Sequence, residues 1–181
     1  MAAGFWRIGC FLVVSGWLGA AQPVMALPQP PAPTFTLNQV TGAATLDELS
    51  AALFSAVKAN DFNLVSKFFP SETELKLLQK SPNKNLQALT ENLAAEQIQG
   101  TFKTDFENLI QNTTDQSILW TELNLAETSP SKLRSPQTTM APIKMYLTVG
   151  EHAAPYYLIY EAVRIKNRYY LFQHITLQKS G

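Results

Sequence analysis

Residues 156–177 read YYLIYEAVRIKNRYYLFQHITL, and this stretch decides the fold. Two runs rich in aromatic and branched residues, 156–165 and 169–177, flank the polar segment Lys166-Asn167-Arg168. Such residues favour strands, and asparagine tolerates the positive φ of a tight turn. The stretch therefore predicts a β-hairpin.

Two further strands are predicted upstream of this hairpin. The first covers Ile118–Leu125, and the second covers Met140–Val149. In the second, alternation places four apolar side chains on one face, Ile143, Met145, Leu147 and Val149. Residues 127–139 contain two prolines among serines and threonines, which predicts a loop. Four strands in succession predict an antiparallel meander.

The chain before the strands has helical periodicity. Thr45-Leu46-Asp47-Glu48 has the pattern of a capping box and precedes an apolar stripe that continues to Ala59. Asp61 can cap a short second helix that ends before Pro70. The segment 71–74 repeats the capping pattern before a third helix.

The longest helical pattern runs from Asn85 to Gln111. Gly100 could bend this helix or divide it, and the lack of a proline or a capping signal there favours one long helix. Its predicted buried side contains Leu89, Leu93, Phe102 and Phe106. Helices followed by strands predict an α+β domain over residues 45–181, in which the long helix packs on a curved four-stranded antiparallel sheet.

The N-terminus has the features of an export signal. Arg7 precedes an apolar run from Ile8 to Ala21, and small or tolerated residues follow, which predicts a signal peptide over residues 1–26 with cleavage between Ala26 and Leu27. About 14 apolar residues are too few to span a bilayer, which takes roughly 20. The sequence thus predicts a secreted or periplasmic protein with no membrane span after cleavage.

A proline-rich tether is predicted to follow, over residues 27–44. Its prolines, at positions 28, 30, 31 and 33, favour extended chain. The sequence has 14 basic and 14 acidic residues and no long run of either, so a nucleic-acid partner is not expected. The single cysteine, Cys10, lies in the predicted signal, which excludes a disulfide framework in the mature chain.

Three segments carry a resemblance to a known class of domain. These are Ala56–Asp61, Val65–Pro70 and the hairpin Val163–Leu171. Together they resemble small exported bacterial proteins of the NTF2-like or cystatin-like α+β type, although residues 71–85 are predicted to be helical where many such domains have a strand. The resemblance implies a curved sheet around a helix. Catalytic members of that class typically place an acid with a histidine or tyrosine in the pocket.

Glu161 and His174 are the candidate catalytic pair. A turn at Asn167-Arg168 would place them opposite each other, where the carboxylate could assist proton transfer by the imidazole. A turn at Lys166-Asn167 would place Glu161 opposite Phe172 instead. A structural cross-strand ion pair is the alternative to a catalytic role.

Tyrosines are the second candidate group, because their rings bury a large area and still offer a hydroxyl. The candidate ligand- or partner-binding residues are Tyr146, Tyr157, Tyr160 and Tyr169. The two histidines, His152 and His174, are far apart in the sequence, so no metal site is expected and no cofactor is indicated.

Two hypotheses about function follow. In the first, an exported non-catalytic module binds a small apolar ligand or an envelope protein through its tyrosine-rich sheet. In the second, a small pocket enzyme of the isomerase or dehydratase kind uses Glu161 and His174.

Overall fold

A computed structural model describes residues 41–129, 132–135 and 139–180. The predicted signal peptide, its cleavage site at Ala26 and Leu27, and the predicted tether as far as residue 40 lie outside the described residues. The described residues belong to one compact unit, residues 38–181.

The described chain is an α+β structure, with its α-helices N-terminal to a four-stranded antiparallel sheet, as predicted. The α-helices are α1 (Leu46–Ala59), α2 (Glu72–Gln79), α3 (Lys84–Thr90) and α4 (Ala95–Asp115). The strands are β1 (Leu123–Thr128), β2 (Met140–Val149), β3 (His152–Ile165) and β4 (Arg168–Lys179). Three 3-10 helices connect these elements, at Phe62–Phe68, Trp120–Glu122 and Lys132–Arg134. The strands are ordered β1-β2-β3-β4, which is the predicted meander.

The β3–β4 hairpin turns at Lys166-Asn167. Both residues have positive φ, 48° and 63°, as a two-residue type I′ turn requires, and Ile165 pairs with Arg168 across it. The register then shifts, because Ala162 pairs with Leu171 whereas Tyr160 pairs with Ile175. Irregularities of this kind also interrupt the other two strand pairs, and such bulges bend a sheet.

The predicted helix starts are confirmed by the caps. Thr45 accepts a hydrogen bond from the backbone N–H of Glu48, while the Glu48 carboxylate accepts one from Ala44. Ser71 and Glu74 form the complete capping box of α2. Asp61 caps the segment 62–68, which is a 3-10 helix.

The prediction of one long helix over 85–111 is wrong. The chain forms α3 and α4 instead, and it breaks between them at residues 91–94 rather than at Gly100. Two hydrogen bonds stabilise the new start, since Gln97 bonds back to the Ala94 N–H and the Glu72 carboxylate accepts from Ala95. Gly100 lies within α4, where a Cβ would meet nothing within 4 Å beyond its neighbours and the nearby backbone of the helix itself.

The strand predictions differ from the structure in detail. The first strand begins at Leu123 rather than at Ile118, because Trp120–Glu122 forms a 3-10 turn. The second strand has its predicted bounds, but its last residue, Val149, is 43% exposed. The third and fourth strands extend beyond the predicted ends.

The core lies between the helices and one face of the sheet. On that face the buried pairs Ile143–Tyr160 and Met145–Leu158 lie side by side. Ser50 of α1 hydrogen-bonds the Tyr160 hydroxyl at 2.8 Å, which fixes α1 above the sheet. An aromatic cluster joins α4 to the first 3-10 helix and the residue after it, and it consists of Phe62, Phe69, Phe102 and Phe106.

The N-terminal segment, residues 41–43, packs on the domain. Ala43 is fully buried and exchanges two backbone hydrogen bonds with Tyr169 on the outer edge of β4. The predicted start of the domain at residue 45 is therefore too late, because these last residues of the predicted tether belong to the packed structure.

Candidate functional site

The structure separates the four candidate tyrosines. Tyr146 and Tyr157 pair directly across β2 and β3. Their neighbours Lys144 and Ile159 pair in the same way, two residues along each strand. Because side chains alternate along a strand, these four lie on the face opposite to the buried pairs of the core. We call this set, together with Gln178, which pairs with Tyr157, the tyrosine face.

Contacts hold Tyr157 in place on the tyrosine face. Its hydroxyl donates to the Gln178 Oε1 at 2.9 Å, and the Lys144 Nζ lies 4.4 Å from the centre of its ring. The Tyr146 ring packs beside it, with centroids 6.4 Å apart. Tyr146 itself is 43% exposed. The pair therefore presents an aromatic surface that is partly exposed to solvent and is held in place by these contacts.

Tyr160 is not available for binding. It is fully buried on the core face, and burial raises the pKa of its phenol well above the ordinary value, although the hydrogen bond with Ser50 opposes that shift. The hydroxyl is used internally, which satisfies a polar group that burial would otherwise penalise.

Tyr169 also lies away from the tyrosine face. It sits beside the hairpin turn, opposite Arg164, and its backbone bonds with Ala43. It is half-buried there. Its place in the structure is at the junction of β4 with the N-terminal segment.

Glu161 and His174 both lie in the irregularity next to the Tyr160–Ile175 pair, and no hydrogen bond or ion pair joins these two described residues. The turn lies at Lys166-Asn167, the second of the two alternatives, and Glu161 falls in the register shift between β3 and β4. His174 occupies the bulge with φ 48° and places its Nδ1 3.2 Å from Asp105 Oδ2 of α4. Because the His174 side chain is 67% exposed, this contact is a surface interaction between β4 and α4.

A different cluster contains the titratable groups with shifted pKa values near the surface. The Tyr170 hydroxyl donates to Glu74, which also accepts a hydrogen bond from Thr41 at 2.8 Å. Burial and the bond to Glu74 raise the pKa of Tyr170 to about 12. Burial alone would raise the pKa of Glu74, but the hydrogen bonds from Tyr170, Ser71 and Thr41 outweigh it and lower that pKa. The Arg168 guanidinium donates to the carbonyls of Thr41 and Gly42, so the cluster anchors the N-terminal segment.

Sequence reasoning missed Lys144 and Gln178 as members of the site. The sequence signal for Lys144 was its position two residues before Tyr146 on β2, which places both side chains on one face. Gln178 could be paired with Tyr157 only once the register of β3 and β4 was known.

Within the described ranges, no group of three or more His, Cys, Asp or Glu side chains is arranged to hold a metal ion. His152 is exposed at the start of β3. None of the helices described is both long and apolar enough to cross a bilayer.

Comparison with known proteins adds little to this geometry. No family model matches the chain, and no curated protein matches it. The resemblance to NTF2-like and cystatin-like domains therefore stays a prediction. Among solved structures, the chain is similar to a phospholipid-binding protein from Ralstonia solanacearum in complex with a phospholipid. The TM-score is 0.38 and the identity is 14%, over 78% of this chain and 79% of that one. A likeness at this level assigns the chain to no family and shows no shared site.

Proposed function

We propose that this protein is an exported, non-catalytic binding module that engages a protein partner through the tyrosine face. The observation that carries the proposal is the Tyr146–Tyr157 pair, in which Tyr146 is 43% exposed and the half-buried Tyr157 is held by defined contacts. Tyrosine is enriched where proteins bind each other, because one side chain supplies both a large apolar area and a hydrogen bond.

The contacts around Tyr157 favour binding because they reduce its entropic cost. A side chain that must be ordered on association loses free energy, about 0.5 to 1.5 kcal/mol for each flexible one. Tyr157 already has its hydroxyl bonded to Gln178 and its ring beneath Lys144. A partner therefore meets an aromatic surface that needs little further ordering.

The shape of the surface favours a protein over a small ligand. Four clefts between described elements, with volumes of about 260 to 420 Å³, are lined by residues other than Tyr146 and Tyr157. Small ligands are usually bound in concave sites that cover most of their surface. A partly exposed aromatic pair on a strand face matches the central anchor of a protein interface better.

The alternative enzyme hypothesis has less support, because no hydrogen bond or ion pair joins Glu161 to His174 among the described residues. That hypothesis required the acid and the imidazole to face each other in a pocket. His174 instead contacts Asp105 in an exposed position.

The binding experiment begins with protein isolated from its native host, from which co-purifying proteins are identified and then purified. Calorimetry with the purified partner compares the wild type with Tyr146→Ala/Tyr157→Ala. We expect the double variant to lose about 2 kcal/mol or more of binding free energy, as anchor residues do. Glu161→Gln/His174→Ala is the matched control and should bind as the wild type does.

Two results would contradict the proposal. One is equal partner affinity in the tyrosine variant and the wild type. The other is native mass spectrometry that finds a retained small molecule whose occupancy is unaffected by the tyrosine changes. Export is tested separately by N-terminal sequencing of the isolated protein, which should begin at Leu27.

A further inference from the structure

A second surface, at the turn end of the β3–β4 hairpin, gathers positive charge. A cleft of about 280 Å³ lies between the end of α2 and the β3–β4 turn. Three cationic residues line it, Lys80 after α2 and Arg164 and Lys166 at the hairpin end. No acidic residue is among its lining residues.

The three cations have no partner among the described residues. Within the described residues, the side chains of Lys80, Arg164 and Lys166 form no hydrogen bond or ion pair, in contrast to Arg168, which donates to the carbonyls of the N-terminal segment. The acids of α2 are occupied elsewhere, because Glu72 accepts from Ala95 and Glu74 from Tyr170. The charge of the cleft is therefore left for a ligand to neutralise.

The floor and rim of the same cleft are apolar. Leu78 and Ile165 are buried beneath it, and Leu77 is 36% exposed at its side. Like charges placed together repel one another, so an arrangement of three cations around apolar side chains suits an anion that also has an apolar part. Arginine in particular matches the geometry of phosphate and carboxylate oxygens.

We propose that this cleft binds an anionic head group, a phosphate or a carboxylate, that is carried on a short apolar chain. The type I′ turn fixes the backbone of Lys166 at one side, and the end of α2 fixes Lys80 at the other. The head group contacts the cations, and the apolar chain lies against Leu77. Such a ligand could be a soluble amphiphile or an acidic membrane lipid, which share this chemistry.

The first experiment measures binding of decyl phosphate, below its micelle concentration, by calorimetry. Each cation near an anionic surface raises the binding affinity about fivefold. The triple variant Lys80→Gln/Arg164→Gln/Lys166→Gln should therefore bind decyl phosphate about 100-fold more weakly. The matched control, Lys103→Gln/Lys132→Gln/Lys179→Gln, removes the same net charge elsewhere and should bind as the wild type does. Circular dichroism and thermal melting confirm that both triple variants are folded.

The apolar contribution is tested with Leu77→Gln, which should weaken decyl phosphate binding and leave binding of inorganic phosphate unchanged. Decanol, which lacks the charge, should bind more weakly than decyl phosphate. The proposal is overturned if wild type does not bind decyl phosphate, if both triple variants lose affinity equally, or if decanol binds as tightly.

Vesicles distinguish the two sources of the head group. Co-sedimentation with vesicles of phosphatidylcholine and phosphatidylglycerol, absent with phosphatidylcholine alone and lost in the Lys80/Arg164/Lys166 variant, identifies a membrane lipid. Binding of decyl phosphate without co-sedimentation identifies a soluble amphiphile.

Discussion

Gly42 lies where the N-terminal segment crosses the ring of Tyr170. Its φ is 74°, and a Cβ at this position would lie 2.6 Å from the Tyr170 Cε1 and Cζ atoms. Only glycine combines that backbone conformation with so close an approach. Gly100, within α4, has neither constraint.

The two glycines therefore predict opposite effects of alanine. Gly42→Ala should lower the free energy of unfolding by about 2 to 4 kcal/mol, from the strained φ and the displaced ring. Gly100→Ala should raise it by about 1 kcal/mol, because alanine favours the helix. Urea denaturation of both variants measures this. A neutral Gly42→Ala would show that residues 41–43 do not pack on Tyr170.

Tyr157 and Tyr160 show how position alone separates two identical side chains. They are three residues apart on β3, so alternation places them on opposite faces of the sheet. Tyr157 is partly exposed to solvent, whereas Tyr160 hydrogen-bonds Ser50 in the core. The period was readable from the sequence. The sequence does not show which face of the sheet the helices cover, because that depends on how α1 packs.

At the scale of elements, the break between α3 and α4 is the main departure from the predicted fold. The apolar residues of 85–111 keep approximate helical spacing across it, so periodicity could not reveal it. Glu72 of α2 and Gln97 satisfy the backbone N–H groups of Ala95 and Ala94 at the new start. A contact from another helix thus contributes to the break, and it leaves Leu89 37% exposed and Leu93 half-buried.

This division gives a matched pair of substitutions. Phe106 of α4 is 2% exposed and packs edge-on against Phe62 at 5.6 Å, so Phe106→Ala should cost about 3 to 5 kcal/mol of unfolding free energy. Leu89→Ala in α3 should cost only about 0.5 kcal/mol, as surface changes do. Chemical denaturation distinguishes them, and similar costs for the two would mean that α3 and α4 form one helix with Leu89 inside.

At the scale of the whole molecule, the Glu74–Tyr170–Thr41 cluster joins α2, β4 and the N-terminal segment. Its hydrogen bonds join residues up to 129 positions apart in the sequence, since the Tyr170 hydroxyl also donates to the Thr41 carbonyl. Ionisation of these groups consequently affects the global free energy of unfolding rather than one local contact.

The cluster predicts a loss of stability in acid. The pKa of Glu74 is below its ordinary 4.5 in the folded chain, so the unfolded chain binds more protons as the pH falls. Its stabilisation is present above that ordinary value and is lost as the pH falls through the folded value. Urea midpoints between about pH 6 and about pH 3 should fall less steeply in Glu74→Gln than in the wild type.

Glu91→Gln, an exposed acid in the α3–α4 connection, is the control and should retain the wild-type slope. Tyr170 responds to pH in the opposite direction. Its pKa is raised from 10.0 to about 12, so its contribution to stability is lost as the pH rises through that range. Parallel acid slopes in wild type and Glu74→Gln would show that the carboxylate is not held by the cluster.

The sequence by itself determined the α+β class, the caps at Thr45, Asp61 and Ser71, the meander and the approximate strand positions, because these follow from local periodicity and backbone preference. Tertiary structure alone decided the α3–α4 break, the register shift in which Glu161 and His174 lie, and the burial of Tyr160. It also decided that residues 41–43 belong to the domain. Each of these depends on contacts between residues distant in the chain, such as Glu72 with Ala95 and Ala43 with Tyr169, which no local pattern contains.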